Sequence, residues 1–453
     1  MTVRHQTEPS FENTLSRRDF VRVAAGATAV APVIISARAL GAEDAPPASE
    51  RLTLGLIGCG GQGRNIMGGA IQFKNVEVVG VCDVNEKNRE EALKILRDRY
   101  GRDDFAQYKD YRELLGRSDI DAVLVATPDH WHALVCIEAA RQKKAIYCEK
   151  PLTWSLGEGR AVVNAVKKAG VVFQVGSMQR SSAEMKYACE VVRNGYLGKI
   201  THINVGLPDG GHAKWVEEWP APPAWLDYDF YVGPAEWIPY HENRLDWDWR
   251  WHMNFGGGQM MDWIGHHGDI AHMGMGWDEK GPIEVTPVLW EYSTEKNNLY
   301  NGPKQYIFDC LYEDGTTMRV GSQASMPQVF RECGDTGTQW FGDNDQWIFV
   351  ARSGLKASNP DLLKIKFKAS DFRFRKERNH MRDFLDCVRE KRECIAPVEA
   401  GHRSASIGHL GKIACLHWAH LKWDYVNERI TNHESLNSVL TRHYREGYTL
   451  PQS

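Results

Sequence analysis

Lys150 stands between Glu149 and Pro151, directly after an apolar run over 145–148 that reads as a strand. A lysine at the carboxyl end of a parallel strand faces the edge where open α/β sheets bind ligands. It can hold a hydroxyl and take or give its proton. Pro151 fixes the backbone beside it, and Glu149 is placed to orient it. Asp262 and His266 lie four apart in a stretch that reads as a helix beginning just after Gly256-Gly257-Gly258, so they share one face. Asp269 follows three residues later and is expected on the same stripe. A carboxylate beside an imidazole orients and charges a general base. His267 is expected about a quarter turn away. Taken singly, a surface lysine and a capped core histidine would look the same, so the weight rests on what surrounds them.

Gly58, Gly60 and Gly63 satisfy G-x-G-x-x-G, with Gly61 and Gln62 inside the turn. The chain has 41 glycines, so the pattern alone says little. Its context says more. An apolar strand precedes it, a helix-compatible run comes after it, and Asp83 lies twenty residues past Gly63 at the end of the next strand. That is where an acid grips ribose hydroxyls, while backbone N–H groups at the helix start meet the pyrophosphate. A carboxylate at Asp83 repels a 2′-phosphate, and Val84 and Asn85 offer no arginine to hold one, which points to NAD over NADP. Arg64 is the nearest competing cation.

These residues need a scaffold. From Arg51 to about Gly176, strands expected over 52–57, 76–82, 122–126, 145–148 and 171–175 alternate with helices over 85–100, 132–142 and 156–168. Such alternation builds a parallel sheet covered by helices, a Rossmann domain over 51–176. From Ser177 the pattern changes. A helix near 183–194 leads to a strand at 200–206 and a long irregular stretch up to Phe255. Strands over 284–292, 306–312, 317–322 and 346–351 alternate like an antiparallel sheet. The rest, from about Phe372, reads as helical with a tail over 444–453. The fold class is therefore α/β followed by α+β, with 177–453 forming the second domain.

The first 42 residues read as a signal. Ser16-Arg17-Arg18-Asp19-Phe20-Val21 is a twin-arginine motif, and the apolar run over 23–35 is too short to span a bilayer. Ala37-Arg38-Ala39 and Leu40-Gly41-Ala42 offer cleavage points, after which no stable membrane span is expected. Residues 43–50, with Pro46 and Pro47, read as a linker. Twin-arginine export carries folded proteins, so a periplasmic location with a cofactor loaded beforehand is expected. Little free NAD is available there, so the cofactor should be held tightly and restored in each cycle. The ten cysteines show no CxxC spacing, and mostly free, buried thiols are expected. A net charge of -4 gives no reason to expect nucleic acid.

Tryptophan is over-used, with 16 residues. Trp215, Trp219, Trp225, Trp237, Trp247, Trp249 and Trp251 fall together with Tyr228, Tyr231 and Tyr240, among polar Asp209, His212, Asp246, Asp248 and Arg250. Aromatic faces of this kind stack on sugar rings, and they also furnish core and interface packing. His241, His252, His266, His267 and His272 match no standard zinc spacing, so no metal is expected.

Thr127-Pro128-Asp129-His130-Trp131-His132, Glu149-Lys150-Pro151 and Gly256-Gly257-Gly258-Gln259-Met260-Met261-Asp262 complete a set that, with the glycine turn, closely resembles the Gfo/Idh/MocA family of oxidoreductases. The resemblance runs through nearly all of the chain after the signal, including Trp423-Asp424 and Arg445. It implies that Lys150, Asp262 and His266 surround a reacting alcohol, with Lys150 and His266 as the acid/base pair and Asp262 binding and polarising. Thr127, Pro128, His132, Glu149 and Lys150 join Gly58, Gly60, Gly61, Gln62, Gly63 and Asp83 as cofactor-binding candidates. Trp131, Gln179 and Arg180, in loops expected near the nicotinamide, join Asp262 and His266 as substrate contacts. A carbohydrate substrate and a homodimer or homotetramer built on the open sheet face are implied. Two other readings are a redox-neutral glycosidase, working by transient oxidation, elimination and re-reduction, and a sugar-binding protein without chemistry. Glu149-Lys150-Pro151 favours the dehydrogenase over the first. The intact Lys150, Asp262 and His266 speak against the second.

Overall fold

The computed structural model describes Pro47 and residues 50–211, 213–334 and 336–451. The twin-arginine motif, its apolar run and most of the linker lie outside the described residues. Chain contacts separate residues 1–51 from a compact unit over 52–453, which holds both sheets.

The first sheet has six strands: β1 (Leu52–Ile57), β2 (Val76–Cys82), β3 (Ala106–Tyr108), β4 (Ala122–Val125), β5 (Ala145–Cys148) and β6 (Phe173–Val175). Their order is β3-β2-β1-β4-β5-β6, with every neighbour parallel. This is the doubly wound order whose chain reversal, between β1 and β4, opens a ligand crevice at the strands' carboxyl ends. β4 and β5 are buried on both faces, which is why they read as unbroken apolar runs. Burying each Val or Leu there stabilises the fold by about 1.5–3 kcal/mol. β3 was not expected. At three half-exposed or exposed residues it carries no apolar signal.

The connecting helices have chemical stops. Asn85 caps the helix Glu86–Tyr100 by accepting from the N–H groups of Lys87 and Asn88, and Gly101 ends it at φ 65°. The helix expected over 132–142 runs instead from Asp129 to Arg141. Pro128 fixes the chain just ahead of it, so Asp129, His130 and Trp131 belong to its first turn.

The second sheet has nine strands: β7 (Ile200–Leu207), β8 (Glu284–Glu291), β9 (Gln305–Leu311), β10 (Thr317–Ser322), β11 (Gly337–Gly342), β12 (Trp347–Ala351), β13 (Gly354–Ala357), β14 (Leu421–Asp424) and β15 (Arg429–Ile430). The order is β13-β12-β11-β7-β10-β9-β8-β14-β15. It is antiparallel except where β10 lies parallel to β7. The helix Val398–His417 packs on one face, with Ile407, Leu410 and Ala414 in the core. The carboxyl-terminal part is thus mixed rather than purely helical, since β14 and β15 come after that helix.

Some later residues complete the first sheet's core. Met381, Phe384 and Leu385 from the helix His380–Glu390 pack with Leu54, Val78 and Tyr147. The tail does similar work. Arg442 and Tyr444 both meet buried Glu158, at 2.7 and 2.6 Å. All ten cysteines are free and buried. No helix of the described residues is long and apolar enough to cross a membrane.

Candidate active site

A cavity of about 900 Å³ runs from the glycine turn to the second sheet. Its first end is made by the turn after β1. Gly58 sits at φ 90°, a conformation that glycine alone adopts without strain. A Cβ there would meet the Ala126 backbone at 2.5 Å, and a Cβ on Gly63 would meet Gly58 O at 1.9 Å. A Cβ on Gly60 or Gly61 would meet only open space. The loop is thus tightly folded behind and open in front, as a cradle for a pyrophosphate requires. Asp83 is half-buried and lines the same end. Its oxygens accept N–H bonds from Cys59 at 2.7 Å and Asn85 at 2.8 Å, which aim the carboxyl and leave lone-pair capacity for ribose hydroxyls. Arg64 is engaged elsewhere, with Glu91 at 2.8 Å and Cys59 O at 2.7 Å. Thr127, Pro128 and Glu149 continue the wall, and Gln62 donates to Glu149 at 2.9 Å. These residues fit a dinucleotide.

Lys150, Asp262 and His266 converge at the other end. Lys150 Nζ donates to Asp262 Oδ1 at 2.7 Å and to Asp262 O at 3.0 Å. Arg250 Nε also reaches Oδ1, at 3.1 Å. Burial would push the Asp262 carboxyl up, but Lys150 and Arg250 outweigh it and hold the carboxyl below the usual range. His266 shifts the opposite way from a protonated partner. Burial, then the Lys150 and Arg352 cations, hold its imidazole well below the ordinary value against the pull of Asp262. The ring is therefore neutral at pH 7, with a lone pair to accept a proton.

The helix carrying these groups is not regular. Gly258–Trp263 is α-helical, Ile264–Gly268 is a π turn, and α-helix resumes at Asp269–Met275. A π turn absorbs one residue more than an α turn, so the residues beyond it lag by about 100°. Asp262 and His266 still share the cavity, but Asp269 does not. It turns away to Arg180, accepting from Nε at 2.7 Å and Nη2 at 2.8 Å. His267 stacks on Trp263 with ring centroids 5.6 Å apart and does not line the cavity.

Several other sequence candidates lie off the cavity. Arg180 is 1% exposed and spends its remaining donors on Asp278 and Ile395 O. It is a buried structural tie rather than a substrate contact. Gln179 is likewise buried, and its amide meets no cavity wall. His132 places its ring nitrogens 3.0 Å from Pro151 O and 2.9 Å from Thr127 O. It braces the two strand ends that carry the site and does not line the cavity. Gly63 acts from behind the turn. Trp131 does line the cavity, but its indole N–H is committed to Tyr231 O at 3.0 Å.

The aromatic stretch divides in two. Trp225, Trp247 and Trp249 line the cavity, joined by Trp263 from the helix. Arg250 lies between Trp247 and Trp249, 4.2 and 4.5 Å from the ring centres. Trp215, Trp219, Trp237 and Trp251 lie elsewhere. Asp129, Met178, Leu245 and Arg352 are wall residues that sequence reasoning did not assign. Arg352 comes just after β12 and stacks 4.6 Å over Trp263, a placement that no local pattern marks. The five histidines do not gather around one point. Among the described residues the one metal-like grouping is Asp383, Cys387 and Cys394, where Arg375 and Arg392 already contact Asp383 at 3.3 Å.

Residues 52–177 match the family described as "Oxidoreductase family, NAD-binding Rossmann fold", and residues 182–450 match its "C-terminal alpha/beta domain". Myo-inositol 2-dehydrogenase of Thermotoga maritima is 30% identical over 183 residues, 39% of this chain and 48% of that protein. Levoglucosan dehydrogenase of Pseudarthrobacter phenanthrenivorans is 32% identical over 114 residues, 25% of this chain and 27% of that protein. The chain spans about half the length, or less, of these curated relatives. Among solved structures, the WlbA dehydrogenase from Bordetella pertussis, in complex with NADH and UDP-GlcNAcA, superposes with TM-score 0.59 at 18% identity. That match covers 83% of this chain and 99% of the other, and shows the shared fold. Two consecutive domain matches over nearly all the described residues, on a cavity built for NAD, place the chain in the Gfo/Idh/MocA family of oxidoreductases.

Proposed function

We propose that this protein is exported and oxidises a hydroxyl of a sugar, glycoside or polyol, holding NAD tightly through the cycle. The Lys150–Asp262 pair at 2.7 Å, beside a neutral His266 in the cavity that the glycine turn opens, carries this reading. The names of the inositol and levoglucosan dehydrogenases support the substrate class. Ser16-Arg17-Arg18 supports export.

Bound NAD supplies the hydride acceptor. Gly58, Gly60 and Gly61 admit its pyrophosphate and Asp83 its ribose. Lys150 has three N–H donors and spends two on Asp262, leaving one for the substrate oxygen. Asp262, kept ionised, fixes that ammonium. His266 Nε2 accepts the hydroxyl proton as the C–H bond breaks. Trp247 and Trp249 offer flat faces to the sugar ring. Exposed Val288 and Tyr292 on and after β8 support a homodimer or homotetramer through the open sheet face.

The test is made on protein purified without added nucleotide. Denatured supernatant is assayed for NAD(H), and the intact protein for a change in nicotinamide absorbance with sugars and glycosides. Retained nicotinamide that a sugar reduces is expected. An empty protein that turns over only with added NAD refutes tight retention. Release of an aglycone without net reduction favours the redox-neutral glycosidase, a reading supported by the match to the "Glycosyl hydrolase family 109 protein" of Shewanella baltica, 26% identical over 224 residues.

His266 sets the acid limb. Its value lies below the ordinary 6.5, so the base stays neutral as pH falls through 6.5 and protonates only further down. kcat/KM is expected to hold across 6.5, and His266→Asn to lower it about 10²–10⁴-fold. An acid limb at or above 6.5 in the wild type would contradict this assignment.

A further inference from the structure

Asp129 is the one strongly buried acid in the cavity wall for which hydride transfer has no use. It opens the helix Asp129–Arg141 just beyond β4, at the carboxyl edge of the parallel sheet. It is 4% exposed. Its carboxyl makes no hydrogen bond or ion pair with any described residue, yet its oxygens are not sealed in, because the residue lines the cavity with Lys150, Asp262 and His266. It does not cap its helix, since no backbone N–H donates to it. A buried carboxyl without a partner costs about 1–3 kcal/mol or more, so a fold retains one where something else completes it.

The surrounding charges indicate its form. Asp262, Lys150, Arg250 and Lys412 are the charged groups that act on it. Burial, with repulsion from Asp262, drives the carboxyl well above its usual range despite the three cations. A neutral carboxyl presents one O–H donor and one carbonyl acceptor. That pair matches a hydroxyl, which both accepts and donates. Placement agrees. β4 and β5 are neighbours, paired Val125 to Cys148, and lead to Asp129 and Lys150 respectively. Both residues, carried just beyond those strand ends, line the same cavity.

We propose that Asp129 is a substrate-binding residue that grips a second hydroxyl of the same polyol whose reacting hydroxyl lies at Lys150 and His266. The inference rests on the oxidoreductase reading for the first hydroxyl only. It assigns the second contact to a position from which no proton is removed, so Asp129 sets affinity and choice of sugar rather than the rate of hydride transfer.

The test uses the full-length protein loaded with NADH and three probes, D-glucose, methyl β-D-glucoside and myo-inositol. Infrared difference spectra should show a protonated-carboxyl stretch that shifts when a sugar binds and is missing in Asp129→Asn. Binding followed by tryptophan emission should weaken roughly tenfold or more in Asp129→Ala. Asp129→Asn, which keeps an N–H donor and an acceptor, should retain most of the affinity. The infrared arm does not use the alanine variant, so poor folding of that variant leaves it intact. Equal affinity in all three proteins, or a carboxyl band that none of the sugars moves, overturns the proposal. A band that moves, where protein loaded with NAD in place of NADH is reduced by none of the three sugars, upholds the Asp129 contact and sinks the oxidoreductase reading instead.

Discussion

Lys150→Met is expected to lower kcat/KM for hydroxyl oxidation about 10²–10⁴-fold, the range that a positioned proton-transfer group contributes. NAD should still bind. Methionine nearly fills the lysine's volume and removes the one free N–H aimed at the substrate oxygen. Asp262 is not stranded, because Arg250 Nε remains at 3.1 Å. Its carboxyl should move back toward the ordinary range, since the Lys150 charge, the strongest attraction that lowers it, is gone. The fold should therefore survive better than after removal of an isolated buried partner, which costs about 3–5 kcal/mol. The measurement is single-turnover reduction of bound nicotinamide by a sugar, beside the NAD dissociation constant. A rate within a few-fold of wild type would remove Lys150 from the chemistry. Weakened NAD binding with an unchanged rate would move it to the cofactor.

Arg180→Leu should act on stability instead. Arg180 sits between Asp269, 1% exposed, and Asp278, and its guanidinium hydrogens meet both carboxylates and Ile395 O. Removing it leaves Asp269, whose carboxyl burial already pushes above its usual range, without the cation that opposes that shift, at a cost of about 3–5 kcal/mol. Asp269→Leu in the same background should recover most of that loss, because a buried ion pair replaced by apolar groups of similar size is often neutral. Urea unfolding of the two single variants and the double variant measures it. A substrate contact would give the opposite result, with unfolding unchanged and KM raised.

Arg180 also shows where reading along the chain fails. It was expected near the nicotinamide because a loop after β6 leads there. Its partners lie 89 and 98 residues away, and only the folded chain brings them together. The glycine turn, Asp83 and Lys150 were legible for the contrary reason. Each is fixed by a neighbouring strand whose apolar run is unmistakable. The second sheet was legible in part. β8, β9, β10 and β12 carry apolar residues enough to stand out. β11 reads Gly-Thr-Gln-Trp-Phe-Gly, with Thr338 and Gln339 fully buried, and hides its place beside β7. The parallel pairing of β10 with β7 depends on how the chain returns, which no local pattern encodes. Asp129 stood in a recognised motif, but its lack of any partner is a property of the packed structure.

The π turn at Ile264–Gly268 makes the site sensitive to length as well as to chemistry. A chain one residue shorter there could wind as an uninterrupted α-helix at no loss of backbone bonds. Asp269 and the helix beyond it would keep their places at Arg180 and in the core, because the π turn absorbs the one extra residue, and the change would fall within the turn, where His266 would stand three rather than four residues past Asp262. A deletion of Gly265 would leave every proposed catalytic side chain present by name and the flanking helices in place, and yet change the spacing between Asp262 and His266. In this segment homologous positions are defined by the turn and not by counting, so an alignment that closes the gap would pair His266 with the wrong residue in its relatives.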